Sequence, residues 1–166
     1  MTNVEGLTTI LKQETESYEK LGTLAEQKRQ IIIDRDLDAL EQSANQEQKL
    51  SDELKRLERQ RIDILKTFTD DADVIPTVSD VVNALDAESA ECAALRKARD
   101  AILAAAGQVQ FLNSQNEVLL QQAMEMVEFD LTLFKSLRQA PESGNYGKDA
   151  YSTGELLPSG GFDAKQ

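Results

Sequence analysis

Histidine is absent from this 166-residue chain. Its absence removes the commonest general base and the commonest metal ligand. Cysteine occurs once, as Cys92, so no disulfide can close within the chain and a reducing compartment is the natural setting. Prolines number three, and five of the eight glycines follow Pro141. The first 139 residues are therefore nearly free of helix breakers. Aromatics are scarce, at 5%. Basic residues are outnumbered, with 18 Lys and Arg against 30 Asp and Glu and a formal net charge of -12. That balance repels a phosphate backbone and an anionic membrane surface, so no nucleic-acid partner is expected. No apolar run approaches the roughly 20 residues needed to span a bilayer, so no stable membrane insertion is expected. No basic region followed by an apolar run stands at the N-terminus, and a cytoplasmic location is the expectation.

What remains is rich in Ala, Leu, Glu, Gln, Lys and Arg, the composition of long helices. The expected fold is all-α: an antiparallel, coiled-coil-like bundle of three long helices with a short connecting helix and a flexible C-terminal tail. Residues 1–139 would form the bundle and residues 140–166 the tail. The first helix starts at a capping box, Thr2 with Glu5. Its seam reads Val4, Leu7, Leu11, Tyr18, Leu21, Ala25 and Ile32, with Glu14 and Lys28 as polar interruptions. Asp36 is placed to cap a second helix from Leu37, which makes a hairpin. That helix carries Leu37, Leu40, Ala44, Leu50, Leu54, Leu57, Ile64 and Phe68 inward, and Glu58, Arg59, Arg61 and Asp63 outward to solvent. Residues 69–76 read as a linker. Thr77 and Asp80 have the spacing to cap a short helix ending near Leu85.

The third helix is predicted over 87–138. Its seam reads Leu95, Ala98, Ile102, Ala105, Val109, Leu112, Asn116, Leu119, Ala123, Met126, Leu133 and Leu137. At 1.5 Å per residue it would be on the order of 75 Å long, against about 45–50 Å for the other two. Either it breaks, most readily at Gly107, or part of it extends beyond the hairpin. Its second half also has more apolar residues than one buried stripe requires. Beside the seam stand Leu120, Met124, Val127, Leu131 and Phe134, and such a surplus calls for a partner. Asn113 and Asn116 interrupt this apolar stretch. A buried Asn can set register inside the fold, bond to a partner, or simply face water.

Chemistry has little footing. There is no phosphate-binding glycine loop, nucleophile elbow or paired-cysteine motif. Asp70, Asp71 and Asp73 lack the glycine and terminal glutamate of a calcium loop and read as loop and cap residues. Glu88 with Glu91, and Glu125 with Glu128, could share a helical face, but di-iron sites in bundles pair such carboxylates with histidines. Cys92 reads as a small core residue, or else as a reactive thiol. Neither a catalytic residue nor a metal or cofactor is expected.

Two segments carry a resemblance. Leu112-Asn113-Ser114-Gln115-Asn116-Glu117-Val118-Leu119-Leu120 is similar to a Leu-Asn-x-x-Asn-x-x-Leu-Leu run, and Tyr146-Gly147-Lys148-Asp149 to a Tyr-Gly-x-Asp tail motif. With the hairpin, linker and long last helix, they resemble the FlgN family of flagellar type III export chaperones. Ala150 stands where a glycine often follows the aspartate, and Tyr151 is a second tyrosine close by. The resemblance implies a cytoplasmic chaperone for the hook-filament junction proteins FlgK and FlgL. It implies client binding through the C-terminal helix, here Leu112, Asn116, Leu119, Leu120, Ala123, Met124, Val127, Leu131 and Phe134. It further implies docking of the tail on the export gate protein FlhA through Tyr146, Gly147 and Asp149. The rival reading is a structural coiled-coil protein that self-associates, with the surplus face as a homodimer interface.

Overall fold

The structure is a computed structural model describing residues 2–139. It contains α1 (Asn3–Asp34), α2 (Leu37–Leu65), a 3-10 turn (Lys66–Phe68), α3 (Val78–Ala84) and α4 (Ala90–Gln139). The chain divides into two compact units, Met1–Leu119 and Leu120–Gln166, so the division falls within α4.

In the first unit, α1 begins at the expected capping box. The Glu5 amide donates to Thr2 Oγ1 at 3.1 Å and the Thr2 amide donates to Glu5 Oε2 at 2.8 Å. The helix stops at Arg35, which takes the left-handed conformation at φ 56°. One residue on, Asp36 caps α2 by accepting from the Ala39 amide at 3.0 Å. Two tight cap geometries in three residues reverse the chain. α2 then runs back along α1. Lys28 pairs with Glu47 at 3.2 Å near the turn, and Arg61 with Glu14 at 3.0 Å far from it. The two polar interruptions of the α1 seam are thus each matched by an opposite charge on α2. A one-turn slip of the hairpin would break both pairs.

Two expectations for α2 are corrected. Leu37 is 77% exposed and Ala44 is also exposed, while Ser43 and Leu65 are buried instead. The register shift expected between Ala44 and Leu50 moves the inward position by one residue. Arg61, expected on the solvated face with Glu58, Arg59 and Asp63, turns in towards Glu14. Glu14 is 2% exposed, and burial raises its pKa above the usual carboxylate value, opposed by the Arg61 charge and hydrogen bond.

The main core sits at the open end of the hairpin. Leu7 and Leu11 from α1, Leu65 from α2, Val81 and Val82 from α3, and Cys92 and Leu95 from α4 are all buried there. α3 is held over this end by Val81 and Val82 and begins at its own capping box, in which the Asp80 amide donates to Thr77 Oγ1 and the Thr77 amide to Asp80. Those bonds lower the Asp80 pKa. Cys92 is fully buried, with Sγ 3.6 Å from the Val82 carbonyl. α4 starts at Ala90, later than the expected Ala87, because the Ser89 hydroxyl accepts from the Cys92 amide and so caps the helix there. Near the start of α4, the Thr2 hydroxyl donates to Glu91. Further along, Gly22 faces Val109, and Asn116 bonds to Ala25. The pairs ascend together, so α4 runs parallel to α1 and antiparallel to α2, which completes an up-down-up bundle.

Candidate functional site

α4 is one uninterrupted helix of 50 residues, compared with 32 in α1 and 29 in α2. The break expected at Gly107 is not there. Gly107 is exposed, and a Cβ added to it would meet nothing within 4 Å. The helix instead changes character along its length. Leu95, Ala98, Ile102, Val109 and Asn116 are buried. Leu112, Leu119 and Ala123 are half-buried. Beyond Ala123 the same heptad positions are open, with Met126 at 58%, Leu133 at 47% and Leu137 at 63% exposure.

Asn116 marks the last fully buried position. It is 5% exposed, and its Nδ2 donates to the Ala25 carbonyl at 2.7 Å. Ala25 is small, so α4 can approach the α1 backbone closely enough for a side-chain amide to reach a main-chain oxygen. Such a bond needs one register of α4 against α1. Of the roles open to this residue, the internal one is occupied in this conformation. Asn113 is exposed.

In the second unit, the described residues form the distal part of α4. Leu120, Met124, Val127, Leu131 and Phe134 line one face, and each is 38–60% exposed. Phe129 adds a further ring at 65% exposure. No described residue from 120 to 138 is buried. The Arg138 guanidinium lies 4.2 Å from the centroid of the Phe134 ring, which shields one of its faces. Single exposed apolar residues are ordinary; a continuous run of them on one helix marks an interaction surface.

A family model described as FlgN protein matches residues 1–153. The chain belongs to the FlgN family. No curated protein and no solved structure matches it. FlgN-family proteins are flagellar export chaperones that bind export substrates, and the family is not known for enzymes.

The predicted client residues of this chain divide. Leu120, Met124, Val127, Leu131 and Phe134 are exposed, Leu112, Leu119 and Ala123 are half-buried, and Asn116 faces α1. Tyr146, Gly147 and Asp149 lie outside the described residues. The linker aspartates serve the loop: Asp71 accepts from the Asp73 amide, and Thr69 Oγ1 accepts from the Asp71 amide. Among the described residues no group of three or more acidic, cysteine or histidine side chains could hold a metal, and no helix is long and apolar enough to cross a membrane. Val118 and Phe129 are not among the predicted client residues, although they are more exposed than most of them. These two lie off both the seam and the neighbouring face that carries Leu120, Met124, Val127, Leu131 and Phe134.

Proposed function

We propose that this chain is a cytoplasmic chaperone for hook-filament junction proteins of the FlgK and FlgL type. It would bind them through the distal part of α4 and deliver them to the flagellar type III export gate. The observation that carries this reading is the run of exposed Leu120, Met124, Val127, Leu131 and Phe134 at helical spacing. A junction protein's terminal helical segment has an apolar stripe that only assembly covers. Pairing such a stripe with this face in helix-in-groove fashion keeps both out of water until export. Leu119 and Ala123 form the inner edge of the site. Leu112 and Asn116 anchor the helix that presents it.

The tail motif Tyr146-Gly147-Lys148-Asp149 falls inside the family match and supports docking on FlhA. A tyrosine offers broad contact area with few rotors to immobilise, plus one hydrogen-bonding hydroxyl. Carrying client and docking motif on one chain raises the client's effective concentration at the gate.

The test is capture of purified FlgK- and FlgL-type proteins by the full chain. Replacing Leu120, Val127 and Phe134 together by Gln should abolish capture and leave the far-ultraviolet circular dichroism nearly unchanged; survival of capture would show the face is wrong. Tyr146→Ala should weaken FlhA binding and spare client binding. Equal loss of both would remove the case for separate sites, and loss through Tyr151→Ala alone would move the docking role to Tyr151.

A further inference from the structure

The first unit carries a second apolar surface, on the side of α4 turned away from α1. Its centre is Gly107. Leu103 and Phe111 stand one turn before and after it and are 64% and 57% exposed. Two turns away, Asp100 and Ser114 are exposed and short. Beyond them are exposed Arg96 on one side and exposed Glu117 on the other. Helical spacing puts all seven within one broad stripe, because steps of three and four residues return to the same side of a helix. The spacing is symmetric about Gly107 for Leu103 with Phe111 and for Asp100 with Ser114, and within one residue of it for Arg96 with Glu117, and the chemistry is complementary when reversed.

We propose that this stripe is a homodimer contact, in which α4 of a second copy crosses in the opposite direction over Gly107. A two-fold axis through Gly107 sets Leu103 of each copy against Phe111 of the other. It also places Arg96 of each copy beside Glu117 of its mate, on the same side of the crossing. Asp100 and Ser114 meet as short side chains and do not hold the helices apart. The absence of a Cβ at Gly107, with open space before it, lets the two backbones approach at the crossing point. A contact of this kind is isologous: one patch satisfies itself twice. One helix crossing buries less than the roughly 1,200 Å² at the low end of stable interfaces, so the dimer is weak and concentration-dependent. It uses none of the residues assigned to the client, so it stands or falls independently of the client reading.

Sedimentation velocity on the full chain, from low micromolar to near-millimolar concentration, provides the test. The wild-type chain should pass from monomer to dimer across that range. Phe111→Glu should weaken dimerisation by at least roughly tenfold through loss of the buried ring. Arg96→Glu and Glu117→Arg should each weaken it, since each places like charges together. An equimolar mixture of those two single variants should recover dimer, because every crossed pair is then opposite in sign. Gly107→Lys should give a higher melting temperature, through better helix propensity, together with a weaker dimer; a purely structural glycine would not separate the two. A wild-type chain monomeric throughout overturns the proposal. So does a dimer that persists in Phe111→Glu, or one lost in Leu131→Glu but not in Phe111→Glu.

Discussion

The two halves of α4 follow one sequence pattern and meet different fates. From Leu95 to Asn116 the three-four repeat is buried, or half-buried at Ala105 and Leu112, and from Met126 to Leu137 the same repeat is exposed. Both halves are built largely from good helix formers, Ala-rich in the proximal half and richer in Leu and Glu in the distal half. What differs is cover. In the proximal half Leu95, Ala98 and Ile102 join the core of the bundle, Val109 faces Gly22, and the cover ends at the Asn116 bond to Ala25. A helix alone gains little from amphipathicity, because its stability in proteins comes mostly from packing the apolar face. The proximal half is therefore a structural element, and the distal half presents apolar surface of the kind a binding partner covers.

The contrast can be broken by mutation. Leu95→Ala, at a fully buried position, should cost about 2–5 kcal/mol in denaturant unfolding through lost burial and a cavity. If it costs no more than Leu131→Ala, the division of α4 is wrong. Glu14→Ala should come next, at about 1–3 kcal/mol, by emptying a buried position and removing the closer of Arg61's two carboxylate partners, with Glu58 remaining at 3.7 Å. Asn116→Ala should cost about 0.5–1.5 kcal/mol for one hydrogen bond. Hydrogen exchange should report the loss locally, with faster exchange in α4 around residue 116 and little change near Leu95. Leu131→Ala should lie within about 0.5 kcal/mol of wild type in stability while weakening client capture.

Acid sharpens the comparison within the first unit. The Glu14 pKa is raised in the fold, so the native state holds that proton more tightly than the unfolded chain does. Stability from this group then falls as pH rises from the ordinary 4.5 to the raised folded value, and it is greatest below 4.5. Glu14→Gln should flatten that part of the stability profile. Asp80 acts with the opposite sign. Its pKa is lowered by the Thr77 bonds, so its contribution is present above 3.8 and is lost as pH falls through the folded value. Urea unfolding midpoints across this range, for wild type and Glu14→Gln, check the first sign. Asp80→Asn supplies the control for the second.

Caps were legible because they are local. Thr2 with Glu5, Asp36, and Thr77 with Asp80 each satisfy a neighbouring amide, and four residues of sequence contain the whole interaction. Ser89 is equally local, and its cap on the Cys92 amide sets the start of α4 three residues later than the helical pattern predicts. Seam positions were legible in α1 and less so in α2, where the irregular step from Ala44 to Leu50 left the inward residue undecided and burial fell on Ser43. Glu14 and Lys28 were visible as interruptions, but their partners Arg61 and Glu47 are 47 and 19 residues away. No local pattern links charges at that distance. For the candidate site, the sequence shows the surplus of apolar residues in α4 and the two short family-like segments. It does not show which seam residues are already in use.

By itself, then, the sequence determined the helices, their caps and the hairpin, all of which follow from composition, period and near-neighbour hydrogen bonds. Tertiary structure decided where the period stops being core. Leu112, Asn116, Leu119 and Ala123 repeat in step with Leu133 and Leu137, and nothing in the repeat separates them. The separation comes from α1: Val109 meets Gly22 and Asn116 meets Ala25 because α4 lies parallel to α1 at that depth. Burial is a property of what stands opposite a residue, and periodicity records only which side of its own helix that residue occupies.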